Sequence, residues 1–199
     1  MNSRVDLDNV NGTDLSAGVT GGFSDVVSGA ELHVKDGVLR DMISGVSGAG
    51  IHGANIGSKV VLDGTKLVSM KASSFGAGIH LEDDAAMEAK NTQWMSMHVS
   101  CSSDDDDVAK ISTSCLGGGM YLVDGASFNG GSDAASNVMT DLTAKNGAGI
   151  VSVGKDVIVR GVTLRSLVSE RGAGVFVLLS NTLNTTNVGS SGSGTGTSS

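Results

Sequence analysis

The chain has 199 residues, 39% of them hydrophobic, with 30 glycines, no proline and 3% aromatics; 13 Lys and Arg against 21 Asp and Glu leave a formal charge of −8. That length suffices for one domain with a substantial core. An acidic chain without a basic cluster argues against a nucleic-acid partner, and no apolar run approaches the ~20 residues that a membrane span needs.

The first twenty residues carry no apolar signal region and are expected to form a lead-in or cap. A weak repeat starts at Gly21-Gly22-Phe23 and becomes regular at Gly48-Ala49-Gly50-Ile51. It returns as Gly76-Ala77-Gly78-Ile79, Gly117-Gly118-Gly119-Met120, Gly147-Ala148-Gly149-Ile150 and Gly172-Ala173-Gly174-Val175. The first glycines lie 28, 41, 30 and 25 residues apart. Self-similarity at such a period marks a stacked-repeat architecture.

Each repeat continues with a short alternating segment that ends on a turn former. Examples are Val60-Val61-Leu62-Asp63-Gly64, Met87-Glu88-Ala89-Lys90-Asn91 and Val157-Ile158-Val159-Arg160-Gly161. The turn position is then Asp36, Gly64, Asn91, Ser136 and Gly161, residue types that tolerate a left-handed or side-chain-bonded turn. Three residues later comes an apolar pair spaced by three: Leu39 and Met42, Leu67 and Met70, Trp94 and Met97, Met139 and Leu142, Leu164 and Leu167. Period-two alternation around each turn predicts strands rather than helices. The expected fold class is therefore all-β: a right-handed parallel β-helix solenoid of about six rungs, three short strands per rung, over residues 21–188. Each rung should stack ~4.8 Å above the last.

Stacking predicts an interior ladder of Ile51, Ile79, Met120, Ile150 and Val175, with a thin column of Ala49, Ala77, Gly118, Ala148 and Ala173 beside it. Their neighbours should point outward. These are His52, His80, Tyr121, Val151 and Phe176, followed two positions on by Ala54, Glu82, Val123, Val153 and Leu178. An apolar outer stripe marks a contact surface. The candidate binding face is thus His52, His80, Tyr121, Val123, Val151, Val153, Phe176 and Leu178, unless a loop or the tail folds over it. His52 and His80 fall in one column; a stacked polar ladder explains them without a ligand, and a shared metal is the alternative.

One repeat is long. The second apolar residue of the pair precedes the next glycine motif by 5 or 6 residues elsewhere, but by 20 between Met97 and Gly117. An inserted loop over residues 98–116 is expected. It holds both cysteines, Cys101 and Cys115, which are expected to clamp its base as a disulfide or else to stand as small apolar residues; the first reading favours an oxidising compartment. The loop also carries Asp104, Asp105, Asp106 and Asp107. Hard cations favour oxygen ligands, so Ca²⁺ is the one cofactor candidate there. Consecutive carboxylates point in different directions, however, which favours a solvated acidic loop and no bound metal. Asn11-Gly12-Thr13 and Asn184-Thr185-Thr186 fit the N-glycosylation pattern, making Asn11 and Asn184 acceptor candidates. Residues 189–199 are only Gly, Ser and Thr and read as a flexible linker.

The coil pattern from about Gly21 to Leu183 resembles the right-handed parallel β-helices, a pectin-lyase-like fold family that includes pectate lyases and other polysaccharide-acting enzymes. Its Gly-Ala-Gly-Ile motif is similar to the Gly-Gly-Ala-Ile repeats of polymorphic outer-membrane proteins and related surface adhesins. The resemblance implies a structural, adhesive surface module, extracellular or at the cell surface, that presents a lateral face to a partner protein, a polysaccharide or neighbouring domains of a longer chain. If the chain is complete as given, a cytoplasmic location is the alternative. The competing function is a carbohydrate-active enzyme of pectate-lyase type. That enzyme needs an arginine and Ca²⁺-holding carboxylates grouped on one outer face, whereas Arg160, Arg165 and Arg171 and Asp63, Asp83, Asp84 and Asp156 are scattered in sequence, so no catalytic residue is assigned.

Overall fold

The computed structural model describes residues 3–100, 115–131, 136–153, 157–178 and 183–190, with the backbone alone at 157, 158, 178 and 183–190. The described elements are short β-strands, every pairing between them is parallel, and no α-helix occurs among them. The chain winds into a β-solenoid of about six turns.

Three walls make the stack. The first wall is a six-stranded sheet of Ser24–Val27, Ile51–Ala54, Ile79–Glu82, Met120–Val123, Ile150–Val153 and Val175–Leu178. The second wall climbs from Arg4–Asp8 through Glu31–Lys35, Lys59–Asp63, Ala86–Lys90 and Ser127–Asn129 to the start of Val157–Val168, then to Leu183–Ser190. The third climbs from Asn11–Thr13 through Val38–Arg40, Lys66–Val68, Gln93–Met95 and Val138–Thr143 to the end of Val157–Val168. Because that last strand runs round the corner, the second and third walls join as one sheet.

Like residues sit over like residues. Ile51, Ile79, Met120, Ile150 and Val175 are partnered in register, and the first four are fully buried. On the second wall Leu32, Val60, Met87, Phe128 and Val159 form a second interior column. On the third, Leu39, Leu67, Trp94, Met139 and Leu164 form another. All three belong to a single hydrophobic cluster along the axis. The Trp94 ring meets Phe128 edge-on at 5.9 Å across the interior, a favoured aromatic geometry.

The apolar pair spaced by three has a backbone cause. Alternation alone would put Leu39 and Asp41 on one side and Met42 on the other. Asp41, at φ 56°, interrupts the strand and returns Met42 to the interior. The same left-handed step recurs at Asp14, Ser69, Ser96, Asp141 and Ser166. Asp and Ser tolerate it because a short polar side chain bonds locally.

The expected turn column is left-handed at Asp36, Gly64, Asn91 and Gly161, and Asn9 extends it downward. On the next turn Gly131 is left-handed, at φ 77°, and residues 132–135, which lead into Ser136, lie outside the described residues. Asn137 is buried, its Nδ2 shares two hydrogens among the carbonyls of Ala89, Gly130 and Gly161, and its Oδ1 accepts from Thr92 N. Thr65 and Thr92 occupy the same corner on lower turns and donate to Val34 and Lys90 carbonyls. A bend that breaks the ladder exposes carbonyls to the core, and a column of small polar side chains satisfies them.

Strands Arg4–Asp8, Asn11–Thr13 and Ser16–Ala17 make the lead-in part of the stack, each pairing with its counterpart one turn above. At the insertion, His98–Val99 still pairs with Lys71–Ala72, and Leu116 still bridges Phe75 and Asn146. The departure from the stack is therefore narrower than residues 98–116. At the other end, Leu183–Ser190 extends past position 188 along Val157–Val168.

Candidate functional site

The first wall puts Asp25, His52, His80, Tyr121, Val151 and Phe176 in one outward column, one residue per turn. They point away from the core, yet much of the column is covered. His52 is 6%, His80 7% and Val151 0% exposed. The cover comes from the corner before this wall, where Thr20, Ser47, Phe75, Leu116, Asn146 and Arg171 bridge from turn to turn. Ser47 Oγ reaches His80 Nδ1 at 2.8 Å, and Phe75 stacks on Tyr121 with ring centres 4.8 Å apart. Of the eight residues expected as a binding face, Tyr121, Val123, Val153 and Phe176 are half-buried, and the side chain of Leu178 lies outside the described residues. The open stripe is thus corrected: His52, His80 and Val151 offer little surface, and at Ser47 and Phe75 a corner residue leans over the turn above it.

At the lower end of this column the structure gathers a polar cluster. His52 Nδ1 lies 2.7 Å from Asp25 Oδ1 on the turn below, and its Nε2 lies 3.1 Å from Glu82 Oε1 on the turn above. His80 Nε2 lies 3.6 Å from Glu82 Oε2, too far for a hydrogen bond. Stacking sets this arrangement, since Ala54 and Glu82 share one column while His52 and His80 share its neighbour. The two imidazole centroids are 5.0 Å apart, and Tyr121 continues the stack at 5.1 Å from His80. Burial pushes the His80 pKa down to about 3, with the nearby His52 adding to the effect and Asp25 partly opposing it. Burial also raises the Tyr121 phenol to about 12, helped by the charges of Glu82 and Asp124.

A second polar array stands on the second wall. Val61, Glu88, Asn129 and Arg160 occupy one column, with Asp63 and Lys90 in the column beside it. Val61, Asp63, Glu88, Lys90, Asn129 and Gly131 line a shallow groove across three turns. Glu88 is paired with Lys59 at 2.9 Å. Arg165 belongs to the third wall and Arg171 to the corner column, while Asp83 and Asp84 form a left-handed turn between the first two walls. Of the three arginines singled out, only Arg160 therefore stands near this groove.

Asn11 is exposed at the start of its strand. The side chain of Asn184, the run Asp104–Asp107 and Cys101 lie outside the described residues. Cys115 is buried at the corner and disulfide-bonded. Sequence reasoning passed over Asp25 and Ser47. Aligning Gly21 with Gly48 would have set Asp25 beneath His52, whereas nothing in the local sequence ties Ser47 to a histidine 33 positions later. Comparison with protein-family models, curated proteins and solved structures gave no match for this chain.

Proposed function

We propose that this chain is a structural and adhesive module: a stiff spacer whose lateral wall holds a partner, with a polysaccharide favoured over a protein. The observation that carries the reading is the position of its recesses. Among the described residues one apolar core fills the axis, and two recesses lie on the outer wall and at the first turn. The second-wall groove offers carboxylate, amine and amide groups of Asp63, Lys90 and Asn129 over three turns. Such groups suit a run of hydroxyls along an extended chain. The likeness to pectin-lyase-like β-helices and adhesin repeats supports the same role. A disulfide-bonded Cys115 and an exposed Asn11 acceptor fit an extracellular or cell-surface site.

A specific observation favours a second reading, a carbohydrate-active enzyme of pectate-lyase type. Arg160 stands over Asn129 and Glu88 in register, with Asp63 on the same wall. One experiment separates the two. The chain is passed over a panel of immobilised polysaccharides with and without Ca²⁺, and eluates are assayed for unsaturated sugar ends. The adhesive reading expects retention of at least one polysaccharide, weakened several-fold by Lys90→Ala and Asn129→Ala, with no new ends. New unsaturated ends that vanish in Arg160→Ala would install the enzyme. Absence of retention on the whole panel would remove the polysaccharide.

A further inference from the structure

We propose that His52, His80 and Glu82 form a binding site for one divalent transition-metal ion of the Zn²⁺ class. One donor atom from each side chain lies within 4.8 Å of the other two. Ligands at ~2.0–2.2 Å from a tetrahedral ion stand about 3.3 Å apart. Glu82 Oε1 lies 3.1 Å from His52 Nε2 and Glu82 Oε2 lies 3.6 Å from His80 Nε2, so each carboxylate oxygen stands near that spacing from one imidazole.

The orientation of both imidazoles points the same way. A neutral imidazole has one N–H and one acceptor nitrogen. His52 directs Nδ1 at Asp25, and His80 directs Nδ1 at Ser47. With the N–H held at Nδ1 in each ring, the Nε2 lone pairs both face Glu82. Histidines that ligate metals are held in this manner, with the second nitrogen fixed by a carboxylate or another polar group. In that tautomer the Nε2 lone pair of His52 faces the Glu82 carboxylate at 3.1 Å, and a cation between them would bond to both.

An independent observation comes from His80. Its Nε2 is buried and has no hydrogen-bond partner, although the residue is only 7% exposed. Buried polar nitrogens are rarely left unpaired. This one is turned toward the carboxylate on its own strand, where an ion would complete it.

The donor set selects the metal class. Two imidazoles and one carboxylate suit zinc and its first-row neighbours, whereas Ca²⁺ and Mg²⁺ prefer oxygen alone. Three protein ligands leave a tetrahedral ion one open position. Glu82 is the most exposed of the three, with 37% of its side chain accessible, so that position faces solvent. The ion would join two adjacent turns, His52 on one and His80 with Glu82 on the next, while Asp25 from the turn below orients His52.

The test uses the full chain, stripped with a chelator and titrated with ZnCl₂ by calorimetry, with Co²⁺ absorption as a report of ligand type. One saturable ion per chain is expected, with a Co²⁺ spectrum showing nitrogen ligation. Asp25→Asn should weaken binding about tenfold, and Glu82→Gln by at least that factor. His80→Asn should abolish binding, while His33→Asn leaves it unchanged. If His80→Asn fails to fold, Glu82→Gln and Asp25→Asn carry the test, since both side chains are partly exposed. No saturable binding, or binding unchanged in both carboxylate variants, overturns the proposal. The first result would leave the cluster as a hydrogen-bonded polar ladder, and the second would place the ion elsewhere in the chain.

Discussion

Met42 turns into the core beside Leu39, three residues earlier, because Asp41 between them adopts φ 56°. The same step recurs at five further positions, and the residue after it is buried at Met42, Met70, Met97 and Leu142. The backbone at Asp41 therefore has a predictable sensitivity. Asp41→Val forces a β-branched residue into the left-handed region and should cost about 1–3 kcal/mol. Asp41→Gly should be close to neutral or mildly stabilising. Urea unfolding of both variants measures the difference; equal stabilities would show that the step is not left-handed in solution.

The glycine motif makes a second prediction. A Cβ on Gly78 would lie 2.5 Å from Met97 Sδ and 2.7 Å from the Gly119 carbonyl oxygen. The backbone oxygen cannot give way, so Gly78→Ala should destabilise by about 1–3 kcal/mol or more. Gly18→Ala, where a Cβ meets nothing within 4 Å, should leave the unfolding midpoint almost unchanged. A mild Gly78→Ala would mean that successive turns stand further apart than the register requires.

The columns, the turn chemistry and the interior ladder were legible in the sequence, because a parallel stack repeats each side chain's environment at every turn. Ile51, Ile79, Met120 and Ile150 could be aligned by the glycines before them. The left-handed step at Asp41 and Ser69 was not, since Asp and Ser appear wherever chains turn and the apolar pair was visible only as a spacing. The covering of His80 by Ser47, and of Tyr121 by Phe75, was equally hidden. Those contacts join different turns at a corner, and the alternation that orders a wall has no hold on a residue making a single bridge. The role of Asn137 was hidden for another reason: its side chain stands in for a backbone partner at that corner, which no turn preference encodes.

His80 should make the metal-free protein sensitive to mild acid. Its pKa falls from 6.5 to about 3 on folding, so the unfolded chain binds the extra proton between those values. Stability is full above about pH 6.5 and declines as pH falls toward 3, with a slope of up to ~1.4 kcal/mol per pH unit from this group. Unfolding free energies measured in chelator across that window should fall more steeply for the parent than for His80→Asn. Parallel curves would show that the imidazole titrates freely.

Tyr121 is the sole tyrosine, so its ionisation can be read directly from phenolate absorbance. Burial and the Glu82 and Asp124 charges hold it near 12. At about pH 11 less than half should be ionised while circular dichroism still reports folded protein, against nearly all of a free phenol. Phe75→Ala, which removes the stacked ring, should bring the midpoint back toward 10. An ordinary tyrosine titration in the folded parent would contradict the covered first wall.

Parallel stacking in register is tested most directly by nuclear Overhauser contacts between methyl groups on successive turns. Strong cross-peaks are expected between Ile51 and Ile79, 28 positions apart, and between Ile150 and Val175, 25 apart. Leu39 should likewise meet Leu67. Were these pairs silent, with each methyl seeing only its own sequence neighbours, the solenoid and every site built on its columns would be wrong.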